Sequence, residues 1–254
     1  MLRLLLLCFT LWLLAGQSLN TNAATLQVAP VLITLKPGEQ AAALYLSNSG
    51  HEPIQAQVRV ASWTQVNGKD TLAAPTDVAS SPAMTRIAPG KRQLVRVVVL
   101  NPQMDTRQHS YRLLIDELPD LQASHGEEHA VHFLLRYSIP VFIAAKESVE
   151  PELLTCAWDA RRRVLSFVNP GQEYARLSDI ALFSASGTQL ADIRGLAGYV
   201  LAGSRVDIPL NYRGNTPPTT LTLHLNSHND DCVLSTGIAA SAATMPYTAA
   251  SHRG

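Results

Sequence analysis

The run from Val131 to Ile143, VHFLLRYSIPVFI, is the feature that most constrains the fold of this chain, because its side chains alternate with a period of two. Successive side chains of a β-strand point to opposite faces, so the run predicts a strand. Pro140 has no backbone donor and predicts an edge strand rather than a central one. Long apolar edges pair readily with other chains, so we expect either another element or a partner strand to cover this edge. One face of the strand carries Val131, Phe133, Leu135, Tyr137 and Ile139.

The first 24 residues have the composition of a secretory signal peptide. Arg3 precedes a leucine-rich apolar run, and Asn22-Ala23-Ala24 offers small residues for cleavage. The apolar run is shorter than the roughly 20 residues of a membrane-spanning helix. We therefore expect a cleaved signal over residues 1–24 and an exported, soluble protein, with an uncleaved anchor as the alternative.

Charge and cysteine content narrow the possible partners. The sequence has 20 Lys and Arg residues against 20 Asp and Glu residues, so no basic field predicts a nucleic-acid partner. Cys8 lies in the predicted signal, which leaves Cys156 and Cys232. In an oxidising compartment these two are candidates for one disulfide, and two free buried thiols are the alternative.

Strand-like runs recur along the whole chain, and helical periodicity is nearly absent. Turn signals such as Lys36-Pro37-Gly38 and Pro89-Gly90 separate the runs. About seven short strands in about 120 residues are typical of an immunoglobulin-type sandwich. We therefore predict an all-β protein with domains at 25–145 and 146–238 and a disordered tail at 239–254. The predicted strands are 25–35, 41–48, 54–63, 83–88, 92–100, 110–117 and 131–143, then 153–158, 163–168, 178–184, 188–192, 199–202, 205–210, 219–225 and 232–238.

One segment carries a possible metal motif. His125 to His129, HGEEH, matches the H-x-x-E-H pattern of a class of zinc peptidases. That chemistry needs both histidines on one face of a helix, and Gly126 with its strand-like flank disfavours a helix. No nucleophile elbow and no phosphate-binding loop occurs in the sequence. We therefore predict no enzyme, no catalytic residue, no metal and no cofactor; zinc content would test the peptidase alternative.

An ordered set of motifs lies between Leu26 and Ile143. The motifs are Leu35-Lys36-Pro37-Gly38-Glu39, Leu46-Ser47-Asn48, Leu94-Val95-Arg96-Val97, Tyr111-Arg112-Leu113, Asp116-Glu117-Leu118-Pro119 and Arg136-Tyr137-Ser138-Ile139-Pro140-Val141-Phe142. This set resembles the periplasmic chaperones of chaperone–usher pilus assembly, and its Tyr-Arg-Leu and Arg-Tyr-Ser-Ile-Pro-Val forms are similar to the archaic branch of that family.

The resemblance implies two immunoglobulin-like domains joined at an angle, with a cleft between them. Such a chaperone lends an edge strand to a pilus subunit that lacks its last strand, and delivers the subunit to an outer-membrane usher. The expected partners are pilus or spore-coat-like surface subunits, the usher and, for the free chaperone, a self-capping oligomer in the periplasm. The groove-filling residues implied are Val131, Phe133 and Leu135, followed by Tyr137 and Ile139.

The resemblance also implies that basic residues in the cleft hold the subunit's C-terminal carboxylate. The better-known branch has basic residues where this sequence has Leu32 and Pro140. The anchor candidates here are therefore Arg112, then Arg136 and Arg96, although Arg96 in the family tends to serve domain pairing. A rival interpretation is an exported adhesion or carbohydrate-binding protein, which aromatic side chains clustered on loop tips would favour.

Overall fold

The computed structural model describes residues 26–101, 106–119, 134–145, 154–226 and 228–233, the last of these by backbone alone, and every regular element in them is a strand. This confirms the all-β prediction. In chain order the strands are β1 (Leu26–Ala29), β2 (Ile33–Leu35), β3 (Ala41–Asn48), β4 (Ile54–Val66), β5 (Lys69–Ala73), β6 (Val78–Ser81), β7 (Met84–Ile87), β8 (Arg92–Val99), β9 (His109–Leu118), β10 (Arg136–Ile143), β11 (Thr155–Asp159), β12 (Val164–Asn169), β13 (Ala175–Phe183), β14 (Gln189–Val200), β15 (Ser204–Pro209), β16 (Thr220–Leu225) and β17 (His228–Val233).

Strands β1 to β10 form a first sandwich of two sheets. The back sheet has the order β1-β3-β8-β6, and the front sheet has the order β2-β10-β9-β4-β5, with β7 also paired to β4. Alternate side chains of both sheets point inward, as the period of two requires. The core between them includes Leu44, Leu46, Val95, Val97, Leu113, Ile115 and Val141.

The predicted run 25–35 is two strands in different sheets. β1 pairs with β3 in the back sheet, whereas β2 pairs in parallel with β10 in the front sheet. Pro30, between them, has no backbone donor and suits a break in the ladder. The run 25–35 therefore supplies an edge strand to each of the two sheets.

Strands β5 and β6 were not predicted from the sequence. All five residues of β5 are exposed, so its sequence shows no alternation of apolar and polar side chains. In the turn before it, Asn67 and Gly68 have φ values of 53° and 77°. Positive φ at both central residues is the property of a type I′ hairpin turn.

Strands β11 to β17 form a second sandwich with its own core. Its sheets have the orders β11-β12-β15 and β14-β13-β16-β17. β14 is one strand where two short runs were predicted, since Gly195, at φ 72°, and Gly198 interrupt the pattern beside shifts of the β13 register. The core of the second sandwich includes Leu165, Phe167, Leu177, Leu182 and Leu221.

Each sandwich has a buried asparagine at a sharp corner of the chain. Asn48 ends β3, and its Nδ2 donates to the carbonyls of Glu52 and Ile87 at 2.7 and 3.0 Å. Asn169 ends β12, and its Nδ2 donates to the carbonyls of Glu173 and Val200 at 2.7 and 3.0 Å. A buried amide needs its hydrogen bonds satisfied, so each asparagine fixes one sharp corner between its two sheets.

Several predictions fall wholly or partly outside the described residues. The signal at 1–24, the domain boundary at 145/146 and the tail at 239–254 stay predictions. Cys156 is disulfide-bonded, and β11, which holds it, contacts β17, which holds Cys232. The side chain of Cys232 is not described, so the Cys156–Cys232 pairing also stays a prediction. The described residues contain no helix with the length and hydropathy to cross a membrane.

Candidate functional site

The edge of β10 is open over part of its length. On one side β10 pairs with β9 from Arg136 to Ile143. On the other side β2 pairs only with Val141–Ile143. Within the part of the chain that the structure describes, no strand pairs with this second side over residues 136–140. The predicted edge strand is therefore covered at its end by β2 and open before it.

The hydrogen-bond register of β9 and β10 determines which backbone groups of residues 136–140, the open margin of β10, are available to a further strand. The amide of Glu117 donates to the carbonyl of Leu135 at 2.9 Å. In an antiparallel ladder every second residue bonds the same neighbour, so Leu135, Tyr137 and Ile139 bond β9. The N–H and C=O groups of Arg136 and Ser138 therefore point outward. Pro140 is at an outward position as well, where its missing donor costs no bond to β9.

The described side chains of the predicted groove-filling row differ in burial. Ile139 is 4% exposed and lies in the core of the first sandwich. Tyr137 packs against that core, and its hydroxyl donates to the carbonyl of Leu26 at 2.6 Å. Both side chains therefore contribute to the fold of this chain, and their expected role in a partner's groove stays a prediction. Leu135 is half-buried at the rim of the core, and Val131 and Phe133 lie outside the described residues.

Arg136 is held by an ion cluster at the start of β10. It lies opposite Asp116 in the ladder and forms an ion pair with it. Arg59 bonds the other oxygen of the same carboxylate at 2.6 Å. These hydrogen bonds, first that of Arg59, hold the pKa of Asp116 below its usual range against the effect of burial. Arg136 thus already has a carboxylate partner within its own chain.

Arg112 has a different environment on the same outer face of the front sheet. Its guanidinium carbon lies 3.6 Å from the centroid of the Trp63 ring and 5.7 Å from that of Tyr199. Burial lowers the pKa of Arg112, and the charge of Asp70 offsets part of that effect. Among the described residues, none forms an ion pair with Arg112. It is a half-buried cation that rests on an aromatic ring and has no carboxylate bound to it.

The third candidate, Arg96, lies elsewhere. It is exposed on β8 of the back sheet, opposite Ala43 and Ser81. Its neighbours Val95 and Val97 face the core, so Arg96 points away from both the core and the front sheet. The structure therefore brings Arg112 and Arg136 to one face and leaves Arg96 on another.

An aromatic cluster joins the two sandwiches beside Arg112. Phe142 is fully buried and stacks on Tyr174 with ring centroids 3.9 Å apart. Trp63 and Tyr199 meet edge to face at 5.7 Å, and Leu32 packs against the group. This cluster was not predicted as a site from the sequence. Its available signal was the group of aromatics at strand ends, and pairing between distant strands could not be deduced from one sequence.

The possible metal motif at His125–His129 lies outside the described residues. Within the described ranges, no cluster of three or more histidine, cysteine, aspartate or glutamate side chains has the spacing of a metal site. The zinc-peptidase alternative is therefore neither supported nor tested by the geometry.

Comparison with known proteins agrees with this arrangement. Residues 25–147 match the family described as pili and flagellar-assembly chaperone, PapD N-terminal domain. A search of curated proteins gives no match.

Solved chaperone structures share the fold. A chain of the CsuC–CsuE chaperone–tip adhesion subunit complex, from archaic chaperone-usher Csu pili of Acinetobacter baumannii, is 24% identical with a TM-score of 0.65, over 84% of this chain and 100% of that chain. A chain of the Salmonella enterica SafA pilin–SafB chaperone complex is 17% identical with a TM-score of 0.61, over 84% of this chain and 98% of that chain. The E. coli chaperone DraB is 15% identical with a TM-score of 0.57, over 83% of this chain and 97% of that chain. These likenesses confirm two immunoglobulin-like sandwiches. Residues 25–147 therefore form an N-terminal domain of the family described as pili and flagellar-assembly chaperone, in a chain that has the two-sandwich fold of the solved chaperones.

Proposed function

We propose that this protein is a periplasmic chaperone that binds pilus subunits by pairing the open margin of β10 with an incomplete subunit sandwich. The observation that carries the proposal is the margin itself. Arg136 and Ser138 direct backbone donors and acceptors outward, and β2 closes the edge only from Val141 onward. A strand added there would gain main-chain hydrogen bonds, as in other cases of β-strand addition.

The groove-filling side chains are Val131, Phe133 and Leu135 in this proposal. Burying a Val, Leu or Phe side chain contributes about 1.5–3 kcal/mol, and each net hydrogen bond about 0.5–1.5 kcal/mol. Three such side chains together with the margin offset part of the entropy of ordering a subunit. No nucleotide is required, because a subunit's own missing strand can later replace the borrowed one.

Arg112 is the proposed anchor for the subunit's C-terminal carboxylate. It lies opposite Pro140 in the β9–β10 ladder, level with the point where β2 blocks further strand addition. A chain end that leaves the margin there must cross the outer face of the front sheet toward Arg112. Trp63 covers a face of the guanidinium, and the donors at its edge suit a carboxylate. Arg136 is secondary, since it already forms an ion pair with Asp116.

Delivery to an outer-membrane usher, self-capping of the free chaperone and the absence of enzyme activity belong to the same proposal. They follow from membership of the family and have no separate geometric support. The adhesion alternative gains nothing from the described residues: the largest aromatic group, around Trp63 and Phe142, is buried between the sandwiches.

Co-expression with subunit genes from the same gene cluster tests the proposal. We expect Phe133→Asp to abolish co-purification of a subunit, because a charge cannot enter an apolar groove. Leu134→Asp is the matched control: Leu134 is 51% exposed and belongs to the opposite set of alternating side chains, so recovery should remain. Equal recovery with both variants would contradict the assignment of the groove-filling face.

Arg112 is tested by binding of a synthetic peptide of the subunit's C-terminal strand, made as the free acid and as the amide. For wild type we expect the free acid to bind about tenfold or more tightly, since hydrogen bonds to charged groups contribute about 1.5–3 kcal/mol. Arg112→Ala should remove that ratio, and Arg96→Ala, on the other sheet, should preserve it. A ratio of one in wild type would overturn the anchor.

A further inference from the structure

The side chain of Gln65 connects the two sandwiches as a strand would. Its Nε2 donates to the carbonyl of Tyr199 at 2.8 Å, and its Oε1 accepts from the amide of Leu201 at 3.0 Å. These two backbone groups belong to alternate residues at the end of β14, so a single side-chain amide satisfies both. Satisfied polar bonds of this kind fix geometry more than they add stability.

Gln65 lies near the tip of the β4–β5 hairpin, and this tip makes a second contact with the second sandwich. The amide of Asp207, on β15, donates to the carbonyl of Gly68 at 2.9 Å. A Cβ on Gly68 would lie 2.6 Å from the Cγ of Asp207, and Gly68 has φ +77°. Arg162 and Arg205 hold the Asp207 carboxylate, so the side chain that faces Gly68 is itself fixed. The hairpin of β4 and β5 therefore docks at two points.

Gln65 also contacts the surroundings of Arg112. Its Nε2 donates to the Oδ1 of Asp70 at 2.9 Å, and Asp70 is the acidic group whose charge acts on Arg112. Tyr199, whose carbonyl accepts from Gln65, is 8% exposed, and its ring and that of Trp63 meet edge to face. The Gln65 amide thus holds both Tyr199, whose ring lies beside Arg112, and the Asp70 carboxylate, which would otherwise be free to turn toward Arg112.

We infer that Gln65 is a positioning residue for the anchor: it locks Tyr199 and Asp70 so that the Arg112 guanidinium stays open to an incoming carboxylate. This inference rests on the proposed function of Arg112. Without the amide, Asp70 is free to approach Arg112 and compete with the subunit, and Tyr199 is free to shift with the second sandwich.

The test compares Gln65→Met, which keeps the length of the side chain and removes its hydrogen bonds, with Gln57→Met on the same face of β4. The readout is the ratio of affinities for the free-acid and amide forms of the C-terminal peptide, which a general loss of stability does not change. Wild type and Gln57→Met should keep a ratio of about tenfold. Gln65→Met should reduce it to about twofold or less, while binding of the amide stays within about twofold.

Two results would count against the inference, and they are distinguishable. A tenfold ratio retained in Gln65→Met would overturn the role of Gln65 and leave the Arg112 anchor intact. A ratio of one in wild type would overturn the anchor and the inference with it. If Gln65→Met does not fold, Gln65→Asn serves instead, since the shorter amide cannot span the same two backbone groups. Faster hydrogen exchange at the Leu201 amide would verify that its hydrogen bond to residue 65 is lost in either variant.

Discussion

At the scale of single side chains, the arginines of the first sandwich differ in what neutralises them. Arg59 and Arg136 share the carboxylate of Asp116, whose side chain is only 11% exposed. Arg112 rests on Trp63 without an ion pair among the described residues. A cation that is already paired gains less from a new carboxylate than an unpaired one that burial has partly desolvated. This difference is the reason to separate Arg112 from its neighbours as the anchor.

Asp116→Asn tests the ion cluster. The folded protein holds the pKa of Asp116 below its unfolded value, mainly through Arg59, so its stabilising effect is complete above about pH 4 and is lost as the pH falls through the folded pKa. We expect the variant to lose about 1–2 kcal/mol of unfolding free energy at neutral pH, discounted for the exposure of both arginines.

Urea unfolding at neutral and acid pH measures this difference. It should shrink toward zero in acid, where wild type also loses the charge. Asp192→Asn provides the control, because Asp192 is paired only with an arginine that is 92% exposed, and such pairs add little. A deficit in Asp116→Asn that persists unchanged in acid would show that the charge is not its cause.

At the scale of the element, β10 has one side committed to β9 and one side open. Ser138→Pro removes an outward N–H and no bond to β9, and proline is tolerated on such an edge. We expect stability to change by less than about 0.5 kcal/mol and affinity for a subunit to fall about fivefold, the value of one hydrogen bond.

The controls for Ser138→Pro are Ser138→Ala and Ile139→Pro. Thermal unfolding measures the stability of the three variants, and a binding assay measures their affinity for a subunit. The alanine variant keeps the N–H and should bind as wild type does. The Ile139 variant loses a donor to β9 and should lose stability first. Undiminished subunit affinity in Ser138→Pro would indicate that the partner does not pair with this margin.

The alternation of apolar side chains was sufficient to predict β10 as a strand, and Pro140 was sufficient to predict an edge, which β2 covers only at Val141–Ile143. It was not sufficient to decide how deeply each side chain is buried, since Ile139 and Leu135 have the same type of side chain, yet Ile139 lies in the core and Leu135 is only partly buried. Likewise, the family resemblance was sufficient to make Arg112 an anchor candidate. Its position over Trp63 depends on which strands are adjacent, and one sequence does not contain that information.

At the scale of the whole molecule, an aromatic junction couples the two sandwiches. Phe142 is fully buried there between Trp63, Tyr174 and Tyr199. Phe142→Ala should cost about 3–5 kcal/mol and separate the unfolding of the sandwiches into two calorimetric transitions. Phe183→Ala, at a half-buried position of the second sandwich, is the comparison and should leave one transition. A single transition in Phe142→Ala would mean that the junction does not couple them.

The most direct test of the central claim is amide hydrogen exchange of the chaperone, free and bound to a co-expressed pilus subunit. The amides of Arg136 and Ser138 point away from β9 and should exchange quickly in the free protein, whereas those of Tyr137 and Ile139 are bonded to β9. Binding should slow exchange at Arg136 and Ser138 by about tenfold or more. A stable complex in which both amides still exchange as fast as in the free chaperone would contradict strand addition at this margin.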